Sequence, residues 1–320
     1  MSNYPNKDRL LDVVQEAGLK RSGLVASCIF PEIQVPSCNF EFIDWKKEYA
    51  DLKPVNDIVG CYSKPHRVDG TPFEYIQGKT KEHALDVVLK ECCVSACTPD
   101  GRLPFNIDAK KSQQTVDKLL LNREIAAVAL ATNESSYATG TTPLTEASDG
   151  KMFTLARSTI FGAAYDLLGL FQAIQQNAQL GARNTLTVDL ATWYAMLRHP
   201  SFKDGGCAIP VMAQQDALQS LLGVQKICIA DAAYNTAAPG SPLNLGKFWG
   251  NYILLTASFD MVTPDEPTRG FGFSAYTKAM TNRIYWDDSI GSDGGNVEVI
   301  SHDLTPVVAD YQMGTLIKLT

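Results

Sequence analysis

One stretch constrains this chain more than any other: "NIDAKKSQQTVDKLLLNREIAAVALATN", from Asn106 to Asn133. Val116, Leu119 and Leu120 form an apolar stripe at helical spacing, continued by Leu121, Ile125 and Val128, with charges opposite. Asp108 stands where an N-cap belongs. A helix of about 23 residues is a rod roughly 35 Å long. Few domains need so long a helix except as a spine on which other parts of the chain pack. Arg123 and Glu124 are adjacent within it rather than four apart, so they face different ways. Packing, or an ion pair between elements, is their expected role.

Ahead of the spine the pattern changes several times. "KDRLLDVVQEAGLKR" predicts a short amphipathic helix carrying Leu10, Leu11, Val14 and Leu19. "VASCIFPEIQVPSCNFEFIDW" is extended in character and punctuated by Pro31 and Pro36. From Lys46 to Lys79 there is no sustained apolar period, and the stretch far exceeds the about 4–6 residues of an ordinary connection. Its aromatics, Tyr49, Tyr62, Phe73 and Tyr75, argue against plain disorder and fit a protruding β-hairpin that packs on another chain. In "HALDVVLKECCVSACTPDG", alternation of Leu85, Val87 and Leu89 predicts a half-buried strand. Leu85, Val88, Leu89 and Cys92 also share a helical face, so both readings stand.

Beyond the spine the chain reads as a compact α/β section. Helices are predicted near 157–179, 191–199 and 213–223, with strands near 184–189, at "QKICIA" and at "YILLTAS". From Gly270 onward the sequence is β-hairpin material with Gly/Asp turns. No internal repeat is apparent.

Composition narrows the function classes. The net charge is -7, and a protein gripping nucleic acid by its phosphates would usually carry a basic surplus. No apolar run reaches the roughly 18–20 residues of a membrane helix, and "MSNYPNKDRLLDVV" has no secretory h-region, so folding in a cytoplasm is expected. Of the eight cysteines (28, 38, 61, 92, 93, 97, 207, 228), only Cys93 and Cys97 approach zinc spacing, and no second pair accompanies them. Buried reduced thiols are the expectation.

Catalytic motifs are missing. Phosphate cradles, the H-E-x-x-H site and the G-x-S-x-G elbow do not occur, and "RGFGFS" reads as glycine tolerated in a tight strand. His199, before Pro200, reads as a helix-end residue whose cationic form suits the negative end of the dipole. Cys207 lies eight residues on, without an orienting acid or oxyanion signature. Asp287 and Asp288 read as a surface turn, and Trp193 and Tyr194 as packing residues. No catalytic, cofactor-binding or metal-binding residue is assigned, and no cofactor is expected.

Four segments, in order, carry a resemblance. "KLLLNREIAAVALATNESSY" resembles the spine helix of tailed-bacteriophage major capsid proteins. "GARNTLTVDLATWYAMLRHPSFKD" resembles the strand and helix that follow in that family. "LLGVQKICIADAAYNTAAPG" leading to "FWGNYILLTAS", then "GFGFSAY", resembles its later strands, and the whole covers most of residues 72–280. The resemblance implies an α+β capsid fold of the Hong Kong 97 type. Its expected parts are an N-terminal arm (1–42), an extended β-hairpin loop (43–80) and a peripheral domain (81–179) with the spine at about 109–131. An axial domain (180–270) and C-terminal strands returning to the peripheral domain (271–320) complete it.

The function so implied is a major capsid protein, not an enzyme. It self-assembles as hexamers and pentamers into an icosahedral shell that encloses double-stranded DNA without sequence-specific binding. Scaffolding, portal and decoration proteins are the expected partners, with no membrane. The expected place is the virion, after assembly in the host cytoplasm. Some relatives crosslink a loop Lys to a neighbour's Asn. Lys46, Lys47, Lys53 and Lys64 lie in the matching region, but nothing marks one as reactive, and no crosslink is expected. An acidic chain agrees with a shell interior along which DNA slides. The alternatives are an encapsulin-like nanocompartment shell and, further off, a soluble α/β enzyme using Cys207 and His199.

Overall fold

A computed structural model of the chain describes residues 23–43, 75–89, 107–203, 214–238, 241–242, 244–258, 270–290 and 294–320. Ahead of the spine come α1 (Ala26–Ile29), β1 (Glu32–Gln34), β2 (Asn39–Ile43), β3 (Tyr75–Lys79) and β4 (His83–Leu89). The spine itself is α2 (Ile107–Ala131), at 25 residues a rod of about 37 Å. It starts one residue before Asp108, whose side chain is outside the described set.

The buried stripe of α2 differs from the one hydropathy alone outlines. It runs Ser112, Thr115, Val116, Leu119, Leu120, Arg123, Glu124, Ala127, Val128 and Ala131, a strict alternation of three- and one-residue steps. Leu121 is only half-buried and Ile125 is exposed. Polar residues occupy four of the stripe's positions, which is why an apolar count places the stripe too far round the helix.

After the spine the chain builds β5 (Ala138–Gly140), β6 (Lys151–Leu155), α3 (Arg157–Ile160), α4 (Leu167–Gln176) and β7 (Thr185–Asp189). It continues with α5 (Leu190–Arg198), α6 (Pro200–Lys203), α7 (Gln214–Leu222), β8 (Lys226–Ala230), β9 (Ala233–Asn235), β10 (Leu245–Lys247) and β11 (Tyr252–Thr256). Five strands close the chain: β12 (Gly272–Tyr276), β13 (Thr281–Asp287), β14 (Gly295–His302), β15 (Thr305–Val308) and β16 (Gly314–Leu319). The single helix expected near 157–179 is two. A turn at Gly162 interrupts it, and Asp166 caps a new start by accepting the Gly169 amide hydrogen at 2.9 Å.

A six-stranded mixed sheet, in the order β5-β6-β16-β11-β7-β8, forms the centre. Side-chain alternation gives it two apolar faces. On one, Leu186, Val188, Ile227, Ile253, Leu255, Ile317 and Leu319 meet α4, α5 and α7 through Leu170, Phe171, Met196 and Leu218. On the other, Leu254, Leu316 and Ala230 meet α1 and the C-terminal turns of the spine, through Ile29, Phe30, Ala127 and Ala131. Asp189 ends β7 and begins α5, accepting the Ala191 and Thr192 amide hydrogens at 3.1 and 3.2 Å.

The other half of the spine packs elsewhere. Val116, Leu119 and Leu120 bury against Ile300 of β14 and Leu85 of β4, within the antiparallel sheet β13-β14-β4. Residues 83–89 are thus a strand, because its two-residue period meets a partner strand. A third sheet sets β1 parallel to β12, with β15 antiparallel beyond. β2 and β3 pair antiparallel from Asn39↔Lys79 to Ile43↔Tyr75 and bracket residues 44–74, which are outside the described set.

The final fifty residues are divided rather than kept together. β12 to β15 lie with β1 and β4, but β16 inserts between β6 and β11 in the central sheet. Of the five closing strands, β16 is the one that joins the central sheet. Leu316, Ile317 and Leu319 are fully or almost fully buried there, an environment the local hairpin pattern does not reveal.

Candidate functional site

The spine's polar stripe residues each reach a different part of the chain. Near its N-terminal end, the Ser112 hydroxyl donates to the Glu298 carboxylate on β14, and Asn282 Nδ2 of β13 donates to the other oxygen at 3.1 Å. Glu298 is fully buried, so these bonds are what make its position tolerable. Half the helix away, Arg123 Nη1 meets Glu32 Oε1 of β1 at 2.6 Å, and Nη2 donates to Ser274 Oγ of β12 at 3.2 Å. One guanidinium therefore ties two neighbouring strands of one sheet to the spine.

Glu124, the next residue, holds a third element. Its Oε1 and Oε2 accept the amide hydrogens of Val25 and Ala26 at 2.8 and 2.9 Å. These amides open α1, where N–H groups lack partners within the helix. Burial pushes the Glu124 carboxyl above its ordinary range, and the two amide bonds and the Arg123 charge offset this only in part. The adjacent pair thus faces different ways, with Glu32 as the ion-pair partner from another element.

Between these anchors lies His302, at the end of β14 and opposite His83 in the ladder. The two rings are 5.5 Å apart, tilted by 33°. His302 Nδ1 accepts from the Leu304 amide at 3.2 Å. Nε2 is buried without a hydrogen-bond partner. Burial, then the facing His83 and Arg123 charges, lower its pKa to about 4, against a smaller opposing effect of Asp303.

A second buried cation, besides Arg123, sits ahead of β7. Arg183, with no exposed surface, pairs with Asp149 and donates to the Gln312 carbonyl at 2.8 Å and the Gly181 carbonyl at 3.1 Å. It fastens the loop before β7 to the turn before β16. Glu298, His302 and Arg183 escaped the sequence reading, since nothing local distinguishes a buried polar residue from a surface one.

The residues considered for chemistry are placed as follows. His199 is 2% exposed, its Nε2 3.1 Å from the Gly162 carbonyl and its Nδ1 accepting from the Ser201 amide at 3.2 Å. His199 stands at the C-terminal end of α5, as expected, and links the turn at Gly162 to Ser201 of α6. Both nitrogens are committed, which leaves none to serve as a base. Cys207, Cys93, Cys97 and the four loop lysines lie outside the described residues. Trp193 is buried against α4 and α7, but Tyr194 is 51% exposed and is corrected from packing to surface.

Asp287 accepts from the Ser289 amide and hydroxyl at 2.9 and 2.7 Å, which lowers its pKa, and Asp288 accepts from Trp286 Nε1 at 2.6 Å. Asp287 ends β13 and Asp288 begins the turn that follows. Gly272 of "RGFGFS" lies in β12, where a Cβ would stand 2.5 Å from the Val307 carbonyl oxygen and 2.7 Å from the Phe30 ring. Among the described residues no group of three or more His, Cys, Asp or Glu could hold a metal ion, and no helix is long and apolar enough to cross a membrane. One thiol expectation is corrected: Cys28 of α1 and Cys228 of β8 form a disulfide, their Cα atoms 6.5 Å apart. A pair separated by 200 positions leaves no mark in cysteine spacing.

The arrangement is built to hold segments together, and its likeness to known proteins agrees. No family profile matches the chain. It is 24% identical over 298 residues to a protein named major capsid protein from Pseudomonas phage JBD67, spanning 91% of this chain and 90% of that one. A phage-related protein from Bordetella bronchiseptica superposes with a TM-score of 0.64 at 17% identity, over 96% of this chain and 95% of that one. The capsid of cyanophage P-SCSP1u gives 0.52 at 11% identity, over 91% and 86%. The chain has the Hong Kong 97 type fold of tailed-bacteriophage major capsid proteins.

Proposed function

We propose that this chain is a major capsid protein, which self-assembles into the icosahedral head enclosing the double-stranded DNA of a tailed bacteriophage. What supports this most is the full-length likeness to the phage JBD67 capsid protein, joined to a spine whose buried polar residues fasten distant segments. In this reading the central sheet with α4, α5 and α7 is the axial part, meeting its copies at the centre of a hexamer or pentamer. The spine with β13-β14-β4 is the peripheral part, and β2–β3 is the root of the extended loop. Scaffolding, portal and decoration proteins are its partners, assembly takes place in the host cytoplasm, and the role is structural rather than catalytic.

Electrostatics fit the proposed cargo. With a net charge of -7 the chain offers DNA no general basic surface, so packaged DNA is confined rather than gripped. Negative-stain electron microscopy of the purified protein tests the reading. Closed shells or rings of uniform size are expected, and a protein that stays a single subunit under every assembly condition overturns it.

A further inference from the structure

Segment 23–34 crosses the molecule beneath the spine and is fastened there by more than packing. Glu124 caps α1, Arg123 holds Glu32, and Gly23 accepts the Asp231 and Ala232 amide hydrogens at 3.3 Å just past the end of β8. The last fastening is Cys28 to Cys228. Cys228 sits on β8, the edge strand of the central sheet, and both cysteines are buried, at 8% and 6% exposure. They lie among Ala26, Ile29, Ala230 and Trp249. A Cα separation of 6.5 Å is within the range that closes a disulfide without moving the backbone.

We propose that Cys28 and Cys228 form a redox-operated latch, open as two thiols in a reducing medium and closed as a disulfide in an oxidising one, which decides how firmly segment 23–34 is held to the central sheet. Closure takes its oxidant from a small-molecule disulfide. One cysteine thiolate attacks a sulfur of that disulfide, forming a mixed disulfide and releasing one small thiol. The second cysteine thiolate then attacks the protein-side sulfur, forming the Cys28–Cys228 bond and releasing the other. Two electrons pass to the small disulfide, and the two cysteine protons end on the released thiols. Opening is the reverse, driven by excess small thiol.

Burial adds a kinetic feature. A small disulfide or thiol reaches these sulfurs only when α1 lifts away, so the latch turns at the rate at which the Glu124 cap lets go. Cys38, the one free cysteine among the described residues, is exposed and reacts without this restraint.

The latch concerns the folded chain itself and does not depend on the shell reading. The full chain is equilibrated in buffers of oxidised and reduced glutathione, quenched by alkylation, digested and analysed by mass spectrometry, with thermal unfolding of each form. Expected is a linked peptide joining Cys28 to Cys228 in the oxidised form alone, two hydrogens lighter than the dithiol. The oxidised form should melt higher by roughly 5 °C or more, since the bond closes a very long loop. Cys28→Ala and Cys228→Ala each abolish that difference, and Glu124→Gln speeds opening and closing several-fold. Wild-type protein that alkylates at both positions after oxidation, or whose two forms melt alike, overturns the latch. Equal turning rates in wild type and Glu124→Gln overturn the undocking route.

Discussion

Glu124 accepts the Val25 amide hydrogen at 2.8 Å across 99 positions of sequence, and this bond carries much of what fixes the N-terminal segment to the spine. Replacing it by alanine leaves two buried N–H groups without partners. A loss of about 2–4 kcal/mol is expected, read as a fall in the urea midpoint at unchanged slope. Glu124→Gln should lose less, because the amide oxygen still accepts one of the two bonds. Two variants of equal stability would show that the cap is unimportant and only volume matters.

Arg123 serves two strands at once, and a lysine cannot. Arg123→Lys keeps the charge but offers no fork to span Glu32 and Ser274, so about 1–2 kcal/mol of stability should go. Glu32 is the more exposed partner, at 44% of its side chain against 7% for Arg123. Glu32→Gln should therefore matter chiefly by leaving the buried guanidinium without a counter-charge. A double-mutant cycle between the two positions separates these effects, and a coupling near zero would assign the pair to surface decoration.

How much of this was readable beforehand depended on range. Local pattern showed the strand near 184–189 and the helix near 191–199, but it left 83–89 open between strand and helix until β14 settled it. The spine was legible as a helix, and Arg123 and Glu124 as residues for packing or an ion pair between elements, but their partners on β1 and α1 were not legible. The same holds for Glu298, whose two bonds come from α2 and β13, and for β16, whose neighbours β6 and β11 are remote in sequence. Partners supplied by tertiary structure leave no periodic trace, so the polar anchors stayed hidden.

At Gly272 the Phe30 ring of the N-terminal segment packs tightly on β12. The glycine's missing Cβ leaves room for the Phe30 ring on one side and the Val307 carbonyl on the other. A ring tip can shift but a paired strand's carbonyl cannot move cheaply. Gly272→Ala should lower stability by about 1–3 kcal/mol, and trimming Phe30 to Leu alongside should restore only part of that. Full rescue would mean the ring alone sets the limit. Thermal unfolding of the single and double variants decides between them.

Acid pH should act on this fold through two groups with opposite signs. His302 has its pKa lowered to about 4 from 6.5, so between those values the unfolded chain binds a proton that the folded chain refuses. Stability from this group is fully present above the unfolded value and is lost as the pH falls through the window, by about 3 kcal/mol at its end. Glu124 has its pKa raised above 4.5, so its contribution is greatest at low pH and declines as the pH rises through the folded value. The two partly cancel in the wild type. His302→Asn should flatten the acid loss and leave the Glu124 trend, with stability falling slightly as the pH rises from 4.5. Glu124→Gln should do the reverse and expose a steeper acid loss. Urea unfolding at several pH values between 4 and 7 measures both slopes. Parallel pH profiles in the two variants would show that neither burial governs the acid response.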